Sequence, residues 1–272
     1  MKCFYHKSDL DGHCSGAIVK MKYPECEMIG VDYSDKLADF EASMTGDHMV
    51  FVVDFSFSVD EMKRLNIRHK LIWIDHHKSA IEKMEECYFD GIKNIGKAGC
   101  ELTWEYLYPD KEMPVVVRLL GRYDVWDHTE DNVLPFQYGM REVGYTLPDG
   151  DIWKSLLVSN FQVIDIENKG RIILAYQQKQ DEIYAKGMSF ETKFEGLRAI
   201  AINKAFCNSK IFDSVYDPEK HDIMIVFGIN SEGWKYSLYS TKKEVDVSVL
   251  ATKYGGGGHA GAAGFYSNDP VL

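Results

Sequence analysis

None of the six cysteines (Cys3, Cys14, Cys26, Cys87, Cys100 and Cys207) stands in a CxxC spacing, so the chain carries no paired-thiolate motif. The simplest reading is free, mostly structural thiols in a reducing compartment. No apolar targeting segment follows Met1-Lys2, and no run approaches the length of a membrane span. The expectation is a cytoplasmic protein with no membrane partner. Positive charge is also in deficit, with 31 Lys and Arg against 42 Asp and Glu and a formal net charge of -11. Such a chain offers few cationic phosphate contacts, which argues against long duplex nucleic acid as a ligand. A small anionic substrate fits if metals neutralise carboxylates locally. Internal repeats are absent, and the one low-complexity tract is a glycine run near the end.

The 272 residues and 45% apolar content supply cores for two compact domains. Cys3-Phe4-Tyr5, Met28 to Tyr33, Met49 to Val53 and Leu71 to Ile74 read as strands. His13 to Lys22 and Asp35 to Met44 read as helices, and Ser58 with Glu61 fits a capping box. Uninterrupted runs such as MVFVV and LIWI suit strands buried on both faces, and the β/α alternation predicts a mostly parallel sheet with helices on both sides. Helical spacing continues from about 98 to 123, interrupted near Pro109 and Pro114, and 125 to 160 reads as loops around short helices. The domains expected are 1–164, a helical connector at 165–188, and a smaller α/β unit at 189–272 with strands at Ala199–Asn203, Ile223–Ile229 and Tyr236–Tyr239.

Chemistry-bearing residues gather where strands end. His6, Asp9, Asp11 and Gly12 follow the first strand, Asp54 follows MVFVV, and Asp75-His76-His77 follows LIWI. Carboxyl ends of parallel strands share one edge, which is where open α/β sheets bind ligands. A lone aspartate there is ordinarily a turn or helix cap, and a His-His pair ordinarily a surface feature. Jointly the three clusters outweigh those readings. A calcium-loop reading of Asp9 to Gly12 fails for want of a suitably spaced glutamate. A fourth cluster, Arg122 to His128, could close the site through either Asp124 or Asp127. So many carboxylates repel one another in a cleft unless cations join them, and mixed carboxylate and imidazole donors suit octahedral Mn²⁺ or Mg²⁺. The run Gly255 to Gly258 followed by His259 offers backbone N–H groups and a ring donor to an anion.

The ordered set resembles the DHH phosphoesterase family, whose signature reads here as Asp75-His76-His77. His6-Lys-Ser-Asp9-Leu-Asp11-Gly12 is similar to its first motif, Asp54 to its second, and GGGGHAGAAGF to the substrate-binding motif of the DHH-associated C-terminal domain. The branch that the chain most resembles is the oligoribonuclease (nanoRNase) one. The resemblance implies a parallel-sheet DHH domain, a smaller C-terminal α/β domain and an active site in the cleft between them. It implies two divalent ions, Mn²⁺ above Mg²⁺ or Co²⁺, with His6 and Asp9 on one, Asp11, His76 and Asp124 on the other, and Asp54 bridging. Asp75 would orient His76, His77 would contact the scissile phosphate, and Gly256, Gly257, Gly258 and His259 would hold the far phosphate. Many members carry an arginine before the glycine motif where this chain reads Ser237-Leu238-Tyr239-Ser240, so anchoring there falls to Lys242 or Tyr239.

The implied activity is hydrolysis of short oligonucleotides or linear dinucleotides to mononucleotides, with a homodimer left open beside a monomer. The same chemistry on cyclic nucleotides, phosphoadenosine phosphate, pyrophosphate or polyphosphate is the alternative, and a non-catalytic nucleotide sensor is a remote one. Trp234, Tyr236, Tyr239, Tyr254 and Phe265 favour a base-bearing substrate, because bases stack on such rings.

Overall fold

The computed structural model describes residues 1–144 and 146–272. In it the apolar runs of the first third become β1 (Lys2–His6), β2 (Glu27–Val31), β3 (Met49–Val53) and β4 (Lys70–Ile74). They form one fully parallel sheet in the order β2-β1-β3-β4. The crossovers carry α1 (Leu10–Lys22), α2 (Ala38–Glu41) and α3 (Val59–Arg68), and α4 (Lys78–Lys83), α5 (Gly99–Leu107), α6 (Val115–Asp124), α7 (Val133–Met140) and α8 (Asp151–Leu156) follow. Successive side chains of a strand point to opposite faces, and both faces are dry here. Cys3, Tyr5, Phe51, Val53, Ile72 and Ile74 pack with Ile18 of α1, Leu102 of α5 and Leu119 of α6. Phe4, Val50, Val52, Leu71 and Trp73 pack on the other face with Met62 and Leu65 of α3. Each such buried side chain contributes about 2 kcal/mol through removal of apolar area from water.

The predicted strands and parallel sheet are present, with boundaries displaced by one to three residues. The helix expected over 35–44 contracts to α2. The Asp35 carboxylate accepts the Asp32 N–H (2.9 Å) and the Lys7 ammonium (2.6 Å), so Asp35 builds a turn. Ahead of α3, the Glu61 carboxylate accepts the Ser58 backbone N–H (3.1 Å), one of the two bonds of a capping box, and also takes the Ser58 hydroxyl (2.6 Å). The free edge of β4 is covered by residues 90–94, whose carbonyls at Asp90 and Ile92 accept the N–H groups of Trp73 (2.8 Å) and Asp75 (3.2 Å). That coverage removes an exposed strand edge.

A single helix, α9 (Phe161–Met188), begins before the predicted connector and runs through it. The chain divides into two compact units, Met1–Leu174 and Ala175–Leu272, with the break inside α9. In the second unit, β5 (Phe190–Phe194), β6 (Leu197–Asn203), β7 (Ile223–Asn230), β8 (Gly233–Tyr239), β9 (Gly257–His259) and β10 (Ala262–Ser267) form a mixed sheet ordered β5-β6-β7-β8-β10-β9. The helix α10 (Val247–Lys253) packs on it through the buried Val247 and Ala251. All six cysteines are free. Among the described residues, no helix is long and apolar enough to cross a membrane.

In the region from 125 to 160 that the sequence left irregular, α7 meets α9 at glycines. A Cβ at Gly139 would lie 2.0 Å from the Ile166 carbonyl oxygen, and one at Gly170 would lie 1.7 Å from that of Pro135. Backbone contact this close has no room for a methyl group. Gly170→Ala is expected to cost about 2 kcal/mol or more through overpacking, seen as a fall in thermal midpoint. A variant melting with the wild type would show that the two helices do not meet at this crossing.

Candidate metal centre

The sheet order places β1 and β3 side by side while their crossovers leave in opposite directions, which creates a crevice beyond their carboxyl ends. His6 ends β1, Asp54 follows β3, and Asp75-His76-His77 follows β4. Asp9 is the N-cap of α1, with Oδ1 accepting the Gly12 N–H (2.9 Å) and Oδ2 lying 2.7 Å from His6 Nδ1. Gly12 is required there, because a Cβ would sit 2.0 Å from the His6 carbonyl oxygen. Asp11 lies buried in the first turn of α1, and its two oxygens accept the N–H groups of Gly99 and Cys100 (2.8 Å each) at the start of α5. A Cβ on Gly99 would approach the Asp54 Cβ to 2.6 Å, so the start of α5 packs directly on that aspartate.

Asp54 is the hub. It is 1% exposed, and neither side-chain oxygen accepts a hydrogen bond. Its Oδ1 lies 3.1 Å from His76 Nε2 and its Oδ2 lies 3.8 Å from His6 Nδ1. The same His76 nitrogen is 3.6 Å from Asp11 Oδ2 and 3.3 Å from Asp124 Oδ2. Donor atoms of His6, Asp9 and Asp54 lie within 4.8 Å of one another, as do those of Asp11, Asp54 and His76. These are two sets of hard oxygen and imidazole donors that share one carboxylate. A buried carboxylate with no hydrogen bond is costly unless a cation accompanies it, so the residues present fit divalent metal ions. Asp54 also holds a left-handed φ of 52°, strained for a residue with a side chain.

The electrostatics follow from crowding. Burial, then the charges of Asp11 and Asp9, push the Asp54 carboxyl well above the usual carboxylate range, and the same causes raise Asp124. Burial lowers the pKa of His76, leaving a neutral imidazole able to act as a ligand. Burial opposes protonation of His77, but the charge and hydrogen bond of Asp75 outweigh it and raise its pKa. Asp75 itself is fully buried, taking the backbone N–H groups of His76 (2.8 Å) and His77 (3.1 Å) and the His77 Nδ1 (2.7 Å). The direct hold of Asp75 is thus on the His77 ring and the His76 backbone, where the resemblance implies orientation of His76.

Of the two aspartates left open in the fourth cluster, Asp124 ends α6 and faces His76. Asp127 instead accepts the Thr129 N–H (3.0 Å) and hydroxyl (2.7 Å) and lies 3.3 Å from Arg122 at the surface. The helix stops there because Trp126 takes a left-handed φ of 62° while the Asp127 and Trp126 N–H groups turn back to Arg122 and Tyr123 carbonyls. Asp32, missed in the sequence, lies 3.8 Å from His6 Nε2 and accepts the Ser8 hydroxyl at 2.6 Å. Its position at the end of β2, on the same edge as the others, was the available signal.

In the second unit the glycine run has a local explanation. The Gly255 and Gly256 N–H groups bond Thr252 and Ala251 carbonyls (3.0 Å each) to end α10, so the Gly256 amide is committed to the chain. Gly257, Gly258 and His259 form β9, paired with β10. A Cβ at Gly256 would lie 2.1 Å from the Gly264 carbonyl oxygen and one at Gly258 would lie 2.6 Å from that of Ala262. Lys242 bonds Asp222 (2.7 Å), which also takes Arg198, so its charge is already compensated. Tyr236 and Phe265 are buried and stack at 5.0 Å, and Tyr254 stacks on Phe265 at 4.4 Å. Tyr236 and Phe265 are thus core and Tyr254 packs half-buried against them, which corrects their reading as a base-stacking surface, while Trp234 and Tyr239 stay half-buried.

A pH dependence follows for the metal-free protein. Asp54 and Asp124 have folded pKa values above their unfolded ones, so their stabilising protonation is complete below about pH 4 and is lost as pH rises through the folded values. Added Mn²⁺ is expected to raise the thermal midpoint more at about pH 8 than at about pH 5.5, by mass action on the folded state. Asp54→Asn, which removes the buried charge, should melt at or above wild type without metal and gain less from Mn²⁺. Equal Mn²⁺ gains in the two proteins would remove Asp54 from the metal centre.

No family model matches the chain. An uncharacterized protein of Acanthamoeba polyphaga mimivirus is 29% identical over 228 residues, which cover 79% of this chain and 52% of that protein. The chain thus spans about half the length of the curated relative it matches. Among solved structures, the DHH domain of a member of a ribosomal-protein family superposes with a TM-score of 0.57 at 16% identity, over 97% of this chain and 81% of that one. The pGpG-specific phosphodiesterase PggH from Vibrio cholerae gives a TM-score of 0.53 at 14% identity, over 97% and 92%. An exopolyphosphatase-related protein from Bacteroides fragilis gives 0.50 at 15%, over 99% and 87%. At these identities the likeness is one of architecture, and the fold of this chain is that of DHH-domain proteins.

Proposed function

We propose that the chain is a two-metal-ion phosphodiesterase that hydrolyses short oligonucleotides or linear dinucleotides to mononucleotides. The observation that carries the proposal is Asp54, a buried carboxylate with its two oxygens directed toward two separate sets of donors. His6 and Asp9 would hold one ion, Asp11, His76 and Asp124 the other, with Asp54 shared between the two sets. A pair of divalent cations there, Mn²⁺ by preference, would supply water activation and charge neutralisation at the phosphoryl group. Asp75 fixes the His77 ring through Nδ1 and favours its protonated form, so Nε2 donates a hydrogen bond to a phosphate oxygen. His76 stays neutral and shares its Nε2 side with three carboxylates. Gly257, Gly258 and His259 hold the far phosphate, with Gly256 shaping the turn before them. The substrate class is supported by the motif order, and the similar fold of PggH belongs to a protein described as specific for pGpG. The net charge of -11 favours short substrates, since a long strand gains few counterion-release contacts on such a surface.

The test is kcat/KM with Mn²⁺ on single-stranded RNA and DNA from dimer to roughly 24-mer at one salt concentration, beside cyclic dinucleotides and pyrophosphate. Efficiency is expected to be highest on the shortest oligonucleotides and to fall with length. Equal efficiency along the ladder, or hydrolysis of pyrophosphate alone, overturns the substrate assignment. Asp54→Ala should remove turnover and bound metal together while the protein stays folded. His77→Ala should act mainly on kcat and His259→Ala mainly on KM. Loss of metal in His259→Ala would contradict its assignment to substrate.

A further inference from the structure

With Tyr236 and Phe265 of the second unit placed in its core, a different ring stands beside the metal centre. Tyr33 follows β2 and is 58% exposed. Its centroid lies 5.5 Å from that of His6, 6.1 Å from that of His77 and 5.2 Å from that of Phe55. Phe55 is 1% exposed and lies nearly parallel to His6, at 23°. The tyrosine ring is therefore backed by a buried wall and lies beside two site imidazoles, while the residue as a whole keeps more than half its surface in solvent.

The backbone beneath this ring is held on all sides. Asp32 Oδ1 accepts the Tyr33 N–H at 2.7 Å, and Asp32 Oδ2 accepts the Ser8 hydroxyl at 2.6 Å. The Asp32 N–H in turn donates to Asp35 Oδ2, which also binds Lys7 at 2.6 Å. A fixed aromatic surface with an open face loses little conformational entropy when a planar ligand stacks on it. Every base has a π-face, so such stacking tolerates sequence.

We infer that the Tyr33 ring is a stacking platform for a nucleobase of the substrate, and so selects base-bearing phosphates over bare ones. The inference rests on the proposed nucleotide chemistry at this site, and it assigns the ring, not the hydroxyl, as the recognising group. A hydroxyl role predicts the opposite response to Tyr33→Phe.

The experiment is calorimetric binding of guanosine 5′-monophosphate and ribose 5-phosphate to the Mn²⁺-loaded chain, which requires no turnover. Wild type should bind the nucleotide about tenfold more tightly than the sugar phosphate, the scale of one stacked base. Tyr33→Phe should keep that ratio. Tyr33→Ala and Tyr33→Leu should bring it close to one while leaving affinity for ribose 5-phosphate unchanged. A wild-type ratio near one, a ratio that survives in Tyr33→Ala, or loss of the ratio in Tyr33→Phe overturns the platform. Equal weakening of both ligands in Tyr33→Ala also overturns it, since the ring would then only support His6 and His77. A wild type that fails to cleave dinucleotides but keeps the tenfold ratio would sink the phosphodiesterase proposal and leave the platform standing.

Discussion

Carboxylates packed beyond the ends of parallel strands repel one another, and Asp54 meets burial first and then the charges of Asp11, Asp9, Asp124 and Asp75 with no hydrogen bond to offset them. Much of the first unit serves to hold that arrangement. The turn at Gly12 brings α1 against the end of β1, and the start of α5 reaches back to grip Asp11 and press on Asp54. The end of α6 delivers Asp124 to the same imidazole nitrogen. A fold optimised for stability alone would place apolar side chains here. The strained φ of Asp54 points the same way, because such strain persists only where the surroundings over-determine it.

How much of this was legible in the sequence depended on how local the signal was. The strands were read because their apolar runs exceed any competing pattern, and the parallel sheet followed from their alternation with helices. The strand-end clusters then located His6, Asp9, Asp11, Asp54 and the Asp75-His76-His77 triplet with no knowledge of distance. What failed was tertiary. The amides of Gly99 and Cys100 on Asp11 join residues nearly 90 positions apart, and no periodicity announces them. The packing of α7 on α9 depends on Gly139 and Gly170 together, and separately each reads as a helix-weakening residue. The choice between Asp124 and Asp127 depended on where α6 stops. That stop uses a tryptophan in a conformation normally given to glycine.

The second unit shows how a motif can carry two explanations at once. Its glycines look like a cradle for an anion, yet Gly255 and Gly256 end a helix, and Gly256 and Gly258 leave space for neighbouring carbonyls. Steric demand accounts for glycine at these positions before any ligand is considered. The aromatic rings behave similarly, since Tyr236, Phe265 and Tyr254 are stacked into the sheet's packing.

The grip of α5 on Asp11 restricts what that carboxylate can offer to a cation. Each Asp11 oxygen already accepts one N–H, so the carboxylate is fixed in rotation and offers its remaining lone pairs in set directions. Such a group cannot swing to chelate an ion through both oxygens, which is how calcium commonly fills its seven or so coordination positions. Smaller cations with near-octahedral shells accept single oxygens at right angles and keep water elsewhere. Under the proposed two-metal reading, a helix terminus that touches no ion would thereby disfavour calcium.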